Sequence, residues 1–376
     1  MIESVPWWMM ILGFLLVLGP LVTVHELGHY LVGRWFGVKA EAFSIGFGKE
    51  LVGWDDKRGT RWRISALPLG GYVQFKGDMD PASIPHPEEI AAMPPEERGD
   101  SFHHKPLWQR ALIVAAGPVT NIAVAILIFA GFAMVYGKAV PVDPGAELEV
   151  AGFSETSSAR AAGIEVGDRI VEIDGTRMVD FQDVRRSIAV YPGREIEVTV
   201  ERGSEEITVP VTIASQEFVD RFGNRSKVGL IGVEGTQVER EFQSVGPLEA
   251  LATAGQQCVD IVDLMITGIG QIISGVRPLS ELGGPVKIAK FSGEQLSLGP
   301  DSFIFFIALI SLNLAFINLL PIPALDGGHL AFYAIEAVRR KPVGPRGTEL
   351  AYRTGVAIVL AFMVFVTVND VVPFFR

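Results

Sequence analysis

Cysteine is almost missing from this chain of 376 residues: Cys258 is the single one. No intrachain disulfide framework is therefore available, and redox chemistry does not mark the compartment. Cys258 lies in the polar stretch AGQQCVDIVD and reads as a small packed side chain. Positive charge is missing at the N-terminus, where MIESVPWWMM holds neither Lys nor Arg. A secretory leader needs that charge, so the apolar run that follows is expected to be retained. Charge of either sign is missing from Trp7 to Val24. A surplus of basic residues is missing overall: the net charge is −11, and no nucleic-acid partner is expected.

What is abundant is apolar sequence. A hydrophobic content of 49% points to an integral membrane protein with soluble parts. About 20 apolar residues cross a bilayer core as a helix, and four segments qualify: 7–35, 111–136, 303–320 with a continuation to 338, and 350–372. Pro321 and Pro323 interrupt the third, and non-helical backbone at that depth needs protein or a water-filled cavity around it. The loop between the last two spans is basic, whereas residues 137–301 hold 15 Lys+Arg against 26 Asp+Glu. Basic loops stay in the cytoplasm. The first and third loops are therefore expected inside, with the acidic loop and both termini outside.

One motif stands out against this background. His25-Glu26-Leu27-Gly28-His29 is an HExxH sequence inside the first apolar run, at its inner end. Ionisable groups at membrane depth are costly and usually functional. Residues i and i+4 share a helix face, so His25 and His29 can reach one metal ion, with Glu26 beside them to act on water. A catalytic zinc usually takes a third protein ligand. Asp326 is the only acid between Asp301 and Glu336, directly after the Pro-broken segment and before Gly327-Gly328. It is the candidate third ligand, and a helix N-cap role is compatible. Asn313 and Asn318 either contact a substrate backbone or bond between helices. His329 reads as structural.

The soluble parts are organised as follows. Residues 42–48 and 61–65 read as strands around a turn at 55–59. The next segment, Leu67-Pro68-Leu69-Gly70-Gly71-Tyr72-Val73, is too apolar for a free loop and too short to span. It reads as a re-entrant or interfacial hairpin. Gly70, Gly71 and Tyr72 are candidates for pairing with an extended substrate by strand addition, with a membrane-surface anchor as the other reading. Residues 77–99 are a Pro-rich acidic connector, and His86, His103 and His104 in or near it lack a metal-binding pattern. Around 140–214 comes a compact pattern: a short helix, a Gly-Asp turn, a strand ending in Asp-Gly, a helix at 181–189, and strands at 195–201 and 206–213. It resembles a bacterial PDZ domain, which binds chain termini or extended segments in a strand–helix groove. Residues 247–275 have helical apolar spacing that suits either the membrane surface or a packed helix.

Taken together, HELGH, PLGGYVQF, KPLWQRALIVAAGPVTN, GGPVKIA and NLLPIPALDGGH resemble the site-2 protease family of intramembrane zinc metalloproteases, most closely the bacterial RseP type. The resemblance implies zinc held by His25, His29 and Asp326, with Glu26 as catalytic base. It points to Asn313 and Asn318 as substrate contacts and places Gly117, Pro118 and Asn121 in a GPxxN motif near the site. It implies single-span membrane substrates already trimmed outside, such as an anti-sigma factor, or signal-peptide remnants, and a bacterial inner membrane location. The chain carries one PDZ-like pattern where the best-known members of the type carry two. The expected fold class is a multi-pass α-helical membrane protein of about four spans with a membrane-associated β-hairpin region and one inserted α+β PDZ domain. The expected division is 1–36 (first helix with HExxH), 37–106 (hairpin and connector), 107–137 (second helix), 138–215 (PDZ), 216–302 (linker), 303–340 (third segment with the LDG motif) and 341–376 (basic loop and fourth helix). The competing reading is a membrane-tethered PDZ adaptor with a structural or inactive metal site. A transporter with a broken helix fits less well, because no repeated half is visible.

Overall fold

In a computed structural model, the described residues are 5–77, 93–143, 148–219, 225–236, 240–275, 282–341 and 344–372, with positions 146, 238 and 279 between them. His86 and most of the expected connector lie outside the described residues.

Among the described residues, four helices are long and apolar enough to cross a membrane: Trp7–Trp35, Leu107–Tyr136, Pro300–Leu319 and Gly347–Val371. In chain order the first three are α1, α2 and α7, and the fourth is most of α9, Pro345–Val371. Between α7 and α9 lies α8, Asp326–Arg339, so the expected continuation to 338 is a separate helix after a break. The chain divides into two compact units, one built from residues 5–130, 254–262 and 277–376, the other from 131–253 and 263–276.

In the first unit, glycines let helices close on one another. A side chain at Gly13 would meet the backbone of Ser292 at 2.8 Å, and one at Gly293 would meet Met10 Cα at 2.8 Å, which fixes α1 against α6, Pro285–Ser297. Beside α1 lies a sheet of β1, Ala40–Asp55, and β2, Arg61–Phe75. The turn between them is tied by Asp56, whose Oδ1 accepts from the backbone N–H groups of Arg58 (2.8 Å) and Thr60 (2.9 Å). Phe43 pairs with both Trp62 and Val73, and Trp54 also pairs with Trp62. Four lengths of chain therefore run in the order 52–55, 61–64, 42–45, 71–75. Gly46 and Gly48, with φ of 91° and 88°, let β1 fold back within this sheet. The 67–73 segment is the end of β2, and residues 71–75 pair with β1 alone among the described residues. Tyr30 of α1 stacks edge-on against Phe43 and Trp62, with ring centroids 5.8 and 5.3 Å away, and anchors the sheet to the helix.

The second unit holds a four-stranded antiparallel sheet in the order β6 (Thr176–Arg177), β5 (Arg169–Ile173), β7 (Glu195–Arg202), β8 (Glu205–Thr212). Alternate residues Ile196, Val198 and Val200 of β7 point into an apolar core with Ile170, Val184 and Ile188. This unit runs past the expected boundary at 215. Ile231 belongs to the core, Val233 pairs with Phe153, and Arg240–Gln243 pairs with Lys138–Pro141. Residues 233–235 and 240–243 complete sheets begun some eighty to a hundred positions earlier, so the expected linker starts only after them. The helix expected at 247–275 is present at Pro247–Ile273, with Cys258 buried in it.

Candidate active site

The site is assembled from short pieces of α1, α2, α7, α8 and the sheet. On α1 the i, i+4 spacing brings His25 and His29 side by side, with Nε2 atoms 3.2 Å apart. Asp326 Oδ2 lies 3.2 Å from His25 Nε2, and Asp326 Oδ1 lies 3.6 Å from His29 Nε2. Asp326 is the first residue of α8, whose N-cap is Leu325. The compatible N-cap role is therefore not the one it plays.

The break that delivers Asp326 is dictated by residue type. Two prolines remove backbone donors and hold the chain extended. Gly327 and Gly328 then allow close approach: a Cβ at Gly327 would overlap the carbonyls of Leu319 and Leu320, and one at Gly328 would overlap that of Ile322. Ala324 takes φ of 91°, a strained conformation for a residue with a Cβ, two residues before Asp326.

Helix α2 supplies the wall behind the histidines. A Cβ at Gly117 would fall on the ring of His29 and 2.8 Å from His25 Cε1, so only glycine leaves room for both imidazoles. His29 Nδ1 donates to the Ile113 carbonyl at 2.9 Å, and His25 Nδ1 faces the side chain of Asn121 at 3.3 Å. The first contact puts the proton of His29 on Nδ1 and leaves a lone pair on Nε2. Asp326 Oδ2 is buried with no hydrogen-bond donor at it among the described residues. Two nitrogen lone pairs and a carboxylate aimed at one point repel unless a cation lies between them. The three ligand atoms all lie within 4.8 Å of one another, which fits one metal ion.

A cavity of about 350 Å³ opens beside these atoms. It is lined by His25, Glu26, His29 and Asp326, by Phe47 and Gly70–Val73 from the sheet, and by Asn318 and His329. Glu26 accepts a hydrogen bond from the Val73 backbone. Gly71 lies so close that a Cβ there would stand 3.2 Å from Glu26 Cγ. Of the expected substrate-contact residues, Gly70, Gly71, Tyr72 and Asn318 share the cavity, whereas Asn313 is not among its lining residues. His329, read as structural, lines the cavity, with Nδ1 2.6 Å from the Tyr352 hydroxyl. Tyr352 lies 23 positions away on α9, and no local pattern marks the pair.

Comparison with known proteins places this geometry. The sequence pattern of Peptidase family M50 matches residues 13–362. The chain belongs to peptidase family M50. Two relatives in the family share the name "Putative zinc metalloprotease". One, from Agrobacterium fabrum, is 45% identical over 96% of this chain and 95% of its own. The other, from Rhizobium meliloti, is 44% identical over 95% of each. Metalloprotease MmpA of Caulobacter vibrioides is 37% identical over 96% of this chain and 95% of its own. A PDZ domain from Listeria monocytogenes is similar over 25% of this chain and 90% of its own at 20% identity, with a TM-score of 0.19, too low to identify the domain. This M50 member is thus a metalloprotease of the site-2 protease family with four helices suited to a membrane, and the family implies zinc.

Proposed function

We propose that this protein is an intramembrane zinc endopeptidase that cuts transmembrane segments of pre-trimmed single-span membrane proteins. The observation that carries the reading is the convergence of His25 Nε2, His29 Nε2 and Asp326 on one point, beside Glu26 and a cavity, on a helix suited to a membrane. His25, His29 and Asp326 would hold the metal. Zinc there supplies Lewis acidity toward a scissile carbonyl and lowers the pKa of water to about 7. Glu26 takes a proton from the attacking water and returns it to the leaving amine, so its carboxylate acts first as base and then as acid. The Val73 N–H holds that carboxylate in place.

A helical substrate hides its carbonyls in hydrogen bonds, so the cut segment must unwind. The 71–75 edge of β2 would receive it by strand addition at Gly70, Gly71 and Tyr72, and Asn318 would bind its backbone from the opposite wall. Asn313, set back on α7, is the weaker candidate for the same role. The acidic unit, read as a PDZ domain from its strand and helix order, would bind a peptide or terminus and exclude substrates with bulky outer domains. The charge pattern supports an inner-membrane protein with the site near the cytoplasmic side and the PDZ domain periplasmic. An anti-sigma factor is the substrate type that the family resemblance favours.

The test is cleavage of a pre-trimmed single-span protein by purified, reconstituted enzyme. Wild type is compared with Glu26→Gln, each with and without a zinc chelator. Cleavage within the span, abolished by both treatments, is expected. Equal cleavage by Glu26→Gln would refute the assigned base, and zinc binding without any cleavage would favour the adaptor reading, with its inactive metal site.

A further inference from the structure

Two imidazoles that offer Nε2 to one metal must each carry the remaining proton on Nδ1, and each Nδ1–H then needs an acceptor. His29 has one in the Ile113 carbonyl, 2.9 Å away, a group that can only accept. His25 faces a carboxamide instead: its Nδ1 is 3.3 Å from Nδ2 of Asn121. In that orientation two hydrogen-bearing nitrogens meet once the Nδ1 proton is in place. Meanwhile Oδ1 of the same carboxamide is buried with no partner among the described residues. Asn121 is fully buried, and its own carbonyl accepts from the Ser311 hydroxyl at 2.8 Å, so α7 pins the residue in place. The two ends of a carboxamide have the same shape, and the hydrogen-bond network decides which end faces which neighbour. Turned over, Oδ1 accepts from His25 Nδ1–H. The clash of donors and the unpaired oxygen disappear together.

We infer that Asn121 is a positioning residue: its carboxamide oxygen accepts the Nδ1 proton of His25, fixing the tautomer that leaves Nε2 free to bind zinc. The inference rests on the proposed zinc site. Its role is distinct from the close packing that Gly117 provides on the same helix, because it concerns a proton and not a volume. It also makes the two histidines unequal, one tied to backbone and one to a replaceable side chain.

The test is zinc affinity of the intact purified protein, measured by competition with a chromogenic chelator and without substrate. Wild type, Asn121→Leu, Asn121→Asp and His25→Ala are compared. Loss of the partner of a ligating histidine typically weakens metal binding by about 10–100-fold, and Asn121→Leu is expected in that range. Asn121→Asp retains an acceptor and has no donor, so it is expected to stay within about threefold of wild type. Wild-type affinity in Asn121→Leu overturns the inference, and so does an Asn121→Asp as weak as Asn121→Leu. Should Asn121→Leu not fold, a tenfold loss in Asn121→Asp alone overturns it. The His25→Ala arm separates the two readings. If that variant keeps wild-type affinity, the zinc site itself is wrong; if it loses zinc while Asn121→Leu does not, only the role of Asn121 fails.

Discussion

Adding a single methyl group at Gly117 is the sharpest perturbation of the site that leaves every polar group in place. A Cβ at this position lands on His29 Nε2 and Cε1 and stands 2.8 Å from His25 Cε1. The rings cannot retreat freely, because His29 is tied to Ile113 and His25 abuts Asn121. Nor can the helices part easily, since a Cβ at Gly28 would meet the Ala116 backbone on the other side of the same contact. Overpacking of this kind costs about 1–3 kcal/mol, while replacing a helical Gly by Ala returns up to about 1 kcal/mol. The net effect on stability is therefore small, about 0–2 kcal/mol. Activity should respond far more, because a misplacement of ~1 Å at reacting groups can cost ~100-fold. Gly131→Ala on the same helix is the control, since among the described residues nothing lies within 4 Å of a Cβ there. The assay is kcat/KM for a single-span substrate, with thermal unfolding in detergent measured alongside. The expected result is a loss of about 100-fold for Gly117→Ala with little change in melting, and wild-type behaviour for Gly131→Ala. Activity within threefold of wild type in Gly117→Ala would refute the claim that the two helices hold the ligands at contact distance.

Three further outcomes follow from other contacts. Gly71→Val should abolish cleavage but not zinc binding, because a Cβ there meets Ser44 O at 2.7 Å and crowds Glu26; retained cleavage would remove the 71–75 edge from the substrate path. Asp370→Ala should destabilise the membrane unit by about 1–3 kcal/mol, because its buried carboxylate accepts from the backbone N–H groups of Gly284 (3.0 Å) and Lys287 (2.9 Å) at the start of α6; unchanged melting would contradict this. In the second unit, the Arg202 guanidinium grips buried Asp168 at 2.7 and 2.8 Å and holds its carboxyl below the usual carboxylate range. A folded pKa below the unfolded one gives stability that is complete above about pH 4 and is lost as pH falls further. Asp168→Asn should therefore cost about 2–3 kcal/mol at neutral pH, discounted because Arg202 is partly exposed. Hydrogen exchange of residues 148–213 in the intact protein checks it: a gap from wild type at pH 7 that narrows at pH 3 is expected, and a constant gap contradicts it.

How much of this was legible beforehand depends on the range of the interactions. The spans were legible because twenty apolar residues suffice to mark a membrane helix, and HELGH because its spacing is a property of one helix. Asp326 could be singled out because a lone acid beside two prolines and two glycines has few structural uses. The sheet was only half legible. Its turn is encoded locally by Asp56 and Gly59, but the double pairing of Phe43 with Trp62 and Val73 depends on a fold-back at Gly46 and Gly48. The end of the second unit was missed because Val233 and Arg240–Gln243 pair with strands far back in the chain, where no periodicity reaches. The contacts of His25 with Asn121 and of His329 with Tyr352 cross between helices and have no signature within either one.

The central claim is that His25 and His29 of α1 and Asp326 of α8 form one metal centre. X-ray absorption at the zinc edge on the purified, substrate-free protein tests it most directly. The account predicts one zinc per chain with two imidazole nitrogens and a carboxylate oxygen at about 2.0–2.2 Å, and loss of the oxygen ligand and of most of the zinc in Asp326→Ala. Zinc that stays at full stoichiometry with an unchanged spectrum in Asp326→Ala, or a protein that binds none, would contradict it.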